Sequence, residues 1–132
     1  MDPVRRYTLR LLQSGPADFS YRLASFQFAP LTWQPAINAY RCESGVRICV
    51  DLAGVDRKAI DLRVEPYLVV IRGNREVPEP KGPDGRAVEM LAMEIDYGPF
   101  ERTVELFDEI DVEKVQAEQT NGLLWIHLPF AS

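Results

Sequence analysis

The side chains from which a catalytic or metal site is usually built are few in this chain: one histidine, His127, two cysteines, Cys42 and Cys49, and the carboxylates Asp108, Glu109, Asp111 and Glu113. His127 sits between Ile126 and Leu128, on the opposite parity from Leu124, Ile126 and Leu128, and so falls on the outward face of a strand. With no second imidazole there is no metal set and no Ser-His-Asp arrangement, and a solvated strand histidine accounts for it. The six-residue gap between Cys42 and Cys49 does not match zinc-ligand spacing, and neither thiol has a neighbouring histidine or basic cluster to activate it. A hairpin centred on Ser44 sets Cys49 opposite residue 39 or 40 and not opposite Cys42, so two reduced thiols are expected, as in a cytosolic protein. The carboxylates lie in a turn, where solvation explains them without acid and base roles. Gly82 and Gly85 are interrupted by Pro83 and followed by no helix or lysine, so they cradle no phosphate. These residues point to a binding protein, with no catalytic residue, no metal and no cofactor.

The elements that would position a binding surface read as strands. Asn121-Gly122 supplies two residues that readily take positive φ, the requirement of a two-residue hairpin turn, and Leu124, Ile126 and Leu128 alternate beyond it. The same period of two recurs in Val46, Ile48, Val50 and Leu52, and again in Ile60, Leu62 and Val64, as in half-buried antiparallel strands. Residues 67–71 are apolar on both parities. Strands are expected at about 33–42, 45–52, 59–65, 67–72, 99–107, 114–119 and 123–128, the spacing of an all-β antiparallel sandwich. Between Gly73 and Gly98 lies a loop rich in Pro and Gly, too long for a hairpin turn, which is expected to project from the body and to carry a strand of its own near residues 90–95. Residues 1–32 form a variable arm. In it Leu9, Leu11 and Leu12 with Arg5, Arg6 and Arg10 fit a short amphipathic helix, while Phe19, Tyr21, Phe26 and Phe28 make a buried extension, an oligomer contact or a sticky binding arm.

At 132 residues the chain is expected to hold one core. Its net charge of −5 disfavours a nucleic-acid partner, which needs clustered Lys and Arg. No stretch approaches the roughly 20 apolar residues of a membrane span, and the first residues lack a signal peptide's apolar core. Cytoplasmic location, without nucleic acid or membrane, is expected.

Arg102 is the exception in its strand, because its parity groups it with Phe100, Val104 and Leu106. An unpaired buried guanidinium is very costly. It is expected either to reach solvent at an edge or to meet a carboxylate at a subunit contact, with Glu89 and Glu94 as candidates.

Four segments together resemble the α-crystallin domain of small heat-shock proteins, of the bacterial and plant type: Val50-Asp-Leu-Ala-Gly-Val-Asp56, Leu68-Val-Val-Ile-Arg-Gly73, Tyr97-Gly-Pro-Phe-Glu-Arg-Thr-Val-Glu-Leu106, and the hairpin Ala117-Glu-Gln-Thr-Asn-Gly-Leu-Leu124. The resemblance implies an α-crystallin domain over residues 33–129, an all-β, immunoglobulin-like antiparallel sandwich of seven to nine strands. It implies an ATP-independent holdase chaperone whose partners are unfolded or partly folded client proteins. It also implies a homodimer, or a small set of dimers, formed by strand exchange through Glu89, Met90, Leu91, Met93, Glu94 and Ile95 with Arg102 at the interface. Client contacts are expected in the arm at Phe19, Tyr21, Phe26 and Phe28, and in a groove of Ile60, Leu62, Val64, Val115 and Ala117, residues that plain core packing also explains. Relatives continue into a tail with an Ile-x-Ile or Ile-x-Val motif that fills a neighbour's groove. Here residues 130–132 stand in the place of a truncated or absent tail, so the groove is expected to be empty or filled by something else, such as the amino-terminal arm. Other departures are Ala53 for proline, Tyr67 for a turn glycine and Phe107 where Leu-Pro is usual. The rival reading is a CS-domain-like module that docks one defined partner as co-chaperone or scaffold; it lacks the long loop and the Tyr-Gly-x-Phe-x-Arg strand.

Overall fold

Alternating apolar residues drive two four-stranded antiparallel sheets to pack face to face. A computed structural model of the chain describes the backbone of residues 5–8 and all of residues 32–77, 80 and 82–132. Its strands are β1 (Arg5–Thr8), β2 (Ile37–Arg41), β3 (Gly45–Asp51), β4 (Ile60–Glu65), β5 (Leu68–Arg75), β6 (Gly98–Glu105), β7 (Gln116–Thr120) and β8 (Leu123–Pro129). One sheet has the order β1-β4-β5-β6 and the other β2-β3-β8-β7. The described helical elements are three single turns of 3-10 type.

The core is the set of inward parities. Ile48, Val50 and Leu52 face Ile60, Leu62, Val64, Val69, Ile71 and Phe100 across the layers, and Leu124, Ile126 and Leu128 complete the stack, all essentially inaccessible to water. Each such side chain contributes about 1.5–3 kcal/mol by leaving water, so period two along the strands is what selects the sandwich. The β7–β8 turn is the expected two-residue one, with Asn121 at φ 53° and Gly122 at φ 80°. At the other diagnostic turn, Gly54 takes φ 78° and Val55 N–H donates to the Leu52 carbonyl at 3.0 Å. Ala53 N–H donates to Asp51 Oδ1 at 3.3 Å, a bond that proline in its place could not make.

Several boundaries differ from the sequence expectation. The strand expected from residue 33 begins at Ile37, because Trp33 joins the opposite sheet, bridging Phe100 in parallel; its N–H donates to Pro99 O and its carbonyl accepts from Glu101 N–H, both at 3.1 Å. Cys49 pairs with Asn38, one residue beyond the expected 39 or 40. Arg5–Thr8 is a strand and not the start of a helix, paired antiparallel along Asp61–Val64. That places part of the amino-terminal arm on the β4 edge; Leu9, Leu11 and Leu12 lie outside the described residues. Among the described residues of the long loop there is a single turn at Pro83–Gly85 and no strand at residues 90–95, since a strand needs a hydrogen-bonding neighbour and no described strand lies beside the segment.

Gly73 lies where β5 and β6 approach the turn before β4. A Cβ there would fall 2.1 Å from Ala59 O and 2.5 Å from the Phe100 ring. Gly73→Ala is expected to lower stability by about 2 kcal/mol or more through overpacking against rigid backbone, measured by urea unfolding; an unchanged midpoint would contradict this placement of Phe100.

Candidate functional site

The long loop returns to the sheets as an exposed apolar run. Val88, Met90, Leu91, Met93 and Ile95 all face solvent, Leu91 to 89%, and Glu89 and Glu94 between them are exposed too. Among the described residues β2 hydrogen-bonds to β3 alone, so its other edge offers backbone donors and acceptors that no described strand pairs. An unpaired edge and an unpaired apolar segment in one chain are complementary halves of a strand addition.

Arg102 stands beside that edge. It is half-buried, opposite Ile71 in the register, and its Nη1 donates to the Pro35 carbonyl at 3.2 Å. Within one chain the head group is bonded to backbone just ahead of β2, and no ion pair joins it to Glu89 or Glu94. A carbonyl acceptor offsets part of the desolvation cost while leaving the charge unneutralised.

Arg75 has no counterpart in the sequence reading. It is 9% exposed. Its Nε donates to Asp96 O at 2.8 Å and its Nη1 to Ala53 O at 3.1 Å, with Nη2 also on Asp96 O. The guanidinium carbon lies 4.2 Å from the Trp33 ring centroid and 5.4 Å from that of Tyr97. Trp33 is itself fixed, donating Nε1–H to Gly98 O at 3.1 Å and meeting Phe100 at 5.2 Å between centroids. One cation therefore ties the start of the long loop, its return at Asp96 and Tyr97, the Ala53-Gly54 turn and the segment that leads out of the arm. Parity missed it because it ends a strand, and a cation–π cage is assembled from residues 33, 75 and 97, which no local spacing connects.

The remaining expected residues fall as follows. Ile60, Leu62 and Val64 are fully buried in the core cluster, Val115 is buried and Ala117 is half-buried against it, and β1 pairs along the edge of β4. Phe19, Tyr21, Phe26 and Phe28 lie outside the described residues. His127 is on the outward face as expected, its Nε2 3.8 Å from Glu118 Oε1. Asp108 binds Arg41 Nε at 2.9 Å, and Asp111 Oδ1 accepts from Glu113 N–H at 3.1 Å, so two of the clustered carboxylates have local structural roles. No group of three His, Cys, Asp or Glu residues suited to a metal occurs among the described residues, and no described helix is long and apolar enough to cross a membrane.

Both thiols are unpaired, Cys42 exposed and Cys49 buried. Hydrogen bonding by Ser44, then by the Gly45 backbone, holds the Cys42 thiol below its ordinary pKa, whereas burial raises that of Cys49.

With this geometry in place, comparison with known proteins is direct. The model of the Hsp20/alpha crystallin family matches residues 39–132. The chain is 32% identical over 127 residues to an 18 kDa heat shock protein of Streptomyces albus G, covering 92% of this chain and 85% of that one. To 18 kDa antigen 1 of Mycobacterium avium it is 30% identical over 122 residues, covering 90% and 78%. Among solved structures, HSP18.5 from E. histolytica superposes with a TM-score of 0.65 at 25% identity, over 76% of this chain and 91% of that one.

Two measurements check the site. Arg75→Ala is expected to cost about 2–3 kcal/mol, from the lost cation–π stacking and the two carbonyls left without their donor, and to speed hydrogen exchange at Asp96 and Tyr97; an unaltered exchange rate there would show that the clamp holds nothing. Iodoacetamide is expected to label Cys42 in the folded protein and Cys49 only after unfolding. Because the Cys42 pKa is lowered, its thiolate, and hence its labelling, persists to lower pH than in an unstructured peptide.

Proposed function

Because the chain belongs to the Hsp20/alpha crystallin family, a family of chaperones without enzymatic activity, we propose that it is an ATP-independent holdase that binds partly unfolded proteins and keeps them from aggregating. The observation that carries the reading is the run of exposed apolar side chains over residues 88–95, together with a β2 edge that no described strand pairs. Clients without fixed shape need apolar area that can adapt, and a scaffold that keeps such area from pairing with itself.

On this reading the working unit is a homodimer. Residues 90–95 add as a strand to the partner's β2 edge, Glu89 and Glu94 flank the new strand, and Arg102 steadies the Pro35 backbone from which that edge starts. Clients bind the arm through Phe19, Tyr21, Phe26 and Phe28. They reach the groove of Ile60, Leu62, Val64, Val115 and Ala117 when β1 leaves β4; a four-residue edge strand is short enough to exchange readily. The two unpaired thiols fit a reducing, cytoplasmic setting.

Native mass by light scattering, run beside suppression of heat-induced aggregation of a labile client, tests the whole proposal. Suppression at the mass of a dimer is expected; none at any stoichiometry would sink the holdase reading. Leu91→Asp combined with Met93→Asp is expected to yield monomer at micromolar concentration by putting charge into the exchanged strand. Arg102→Ala is expected to weaken the dimer about tenfold, the loss of one charge-assisted hydrogen bond. Unchanged mass in both would remove residues 88–95 and Arg102 from the interface.

A further inference from the structure

At the end of the sandwich where the β4–β5 and β6–β7 turns meet, two aromatic side chains stand in solvent, Tyr67 at 52% and Phe107 at 101% exposure. The turns that carry them are joined by backbone bonds, Leu106 N–H to Tyr67 O at 2.9 Å and Ile110 N–H to Pro66 O at 2.8 Å. The rings are thus held on neighbouring, mutually braced turns. Ile110, three residues beyond Phe107, is 2% exposed, so the same turn buries one apolar side chain and leaves a larger one outside.

The surroundings are acidic. Glu105 stands opposite Leu68, and Leu68 opposite Glu65, across the adjoining strands. Glu105 and Glu109 are exposed, and neither has an ion-pair partner among the described residues. Among the described side chains the nearby cations are engaged: Arg41 binds Asp108 and lies 5.0 Å over the Phe130 ring, and Arg63 Nη2 meets Glu65 Oε2 at 3.1 Å. Two rings with unneutralised carboxylates beside them suit a segment that carries an apolar residue next to a lysine or arginine. The apolar residue covers Phe107, and the cation lies over Tyr67 and reaches Glu105 or Glu109.

We propose that this end of the sandwich is a docking surface for apolar, basic segments of non-native proteins, separate from the exchange loop and from the β4 edge. The kind of partner rests on the holdase reading above; the surface itself rests on Tyr67, Phe107, Glu105 and Glu109.

Binding of a fluorescently labelled, unstructured peptide alternating leucine and lysine, followed by anisotropy with the full chain, tests it. Tyr67 and Phe107 are expected to capture this peptide in preference to one alternating leucine and glutamate, with the preference reduced in 0.5 M salt. Phe107→Ser is expected to weaken binding about tenfold, as for a truncated aromatic anchor, and the fold should tolerate it because the ring is fully exposed. Glu105→Gln with Glu109→Gln supplies a second variant, expected to lose the preference for lysine. Equal binding of the lysine peptide by wild type and both variants, or no binding by wild type, overturns the proposal. So does a fall in native mass caused by Phe107→Ser, which would assign the surface to another copy of the chain, whose Arg5, Arg6 and Arg10 are also basic. Peptide binding that depends on Phe107 without suppression of client aggregation would leave the surface standing and remove the holdase reading; suppression without that dependence would do the reverse.

Discussion

A two-layer β-sandwich buries its faces and leaves its edges, and the backbone groups along those edges need hydrogen-bond partners or water. Most features outside the core follow from how each edge is dealt with. The β4 edge is taken by Arg5–Thr8 from the chain's own arm. The β6 edge is covered at one point by Trp33, through the Pro99 and Glu101 backbone. No described strand pairs the outer edge of β2. On the proposed reading, that edge and residues 88–95 are blunted by pairing with each other across two copies of the chain.

Arg75 is the joint at which these arrangements meet. Its guanidinium is buried without a carboxylate, held by the carbonyls of Asp96 and Ala53 and by the faces of Trp33 and Tyr97. Carbonyls and rings offset desolvation less fully than a carboxylate would, but they do something an ion pair does not: each acceptor belongs to a different segment. The long loop is therefore anchored at both ends while its middle stays exposed, a combination that suits a segment meant to pair elsewhere.

Exposed apolar surface on a rigid body invites self-association, and the acidic balance of the chain opposes it. Net charge of −5 keeps copies apart at long range, and carboxylates such as Glu105 and Glu109 stand beside exposed rings instead of being paired away. Apolar area and negative charge together tolerate solution and still attract segments of opposite sign.

What the sequence determined by itself was the fold and the family. Period two in residues 46–52, 60–64 and 124–128, with Asn121-Gly122 between strands, is local information, and burial of one parity turns it directly into two packed sheets. The projecting loop was legible for the same reason, since its length and its Pro and Gly content rule out a hairpin turn. The tertiary structure decided what depends on residues distant in the chain. It turned Trp33 away from β2 to the opposite sheet, bonded Arg102 to the Pro35 carbonyl, and built the Arg75 cage from positions 33, 53, 75, 96 and 97. It also laid β1 along the edge of β4, whose Ile60, Leu62 and Val64 are buried, because pairing of residues 5–8 with 61–64 joins segments far apart in sequence that no local period connects.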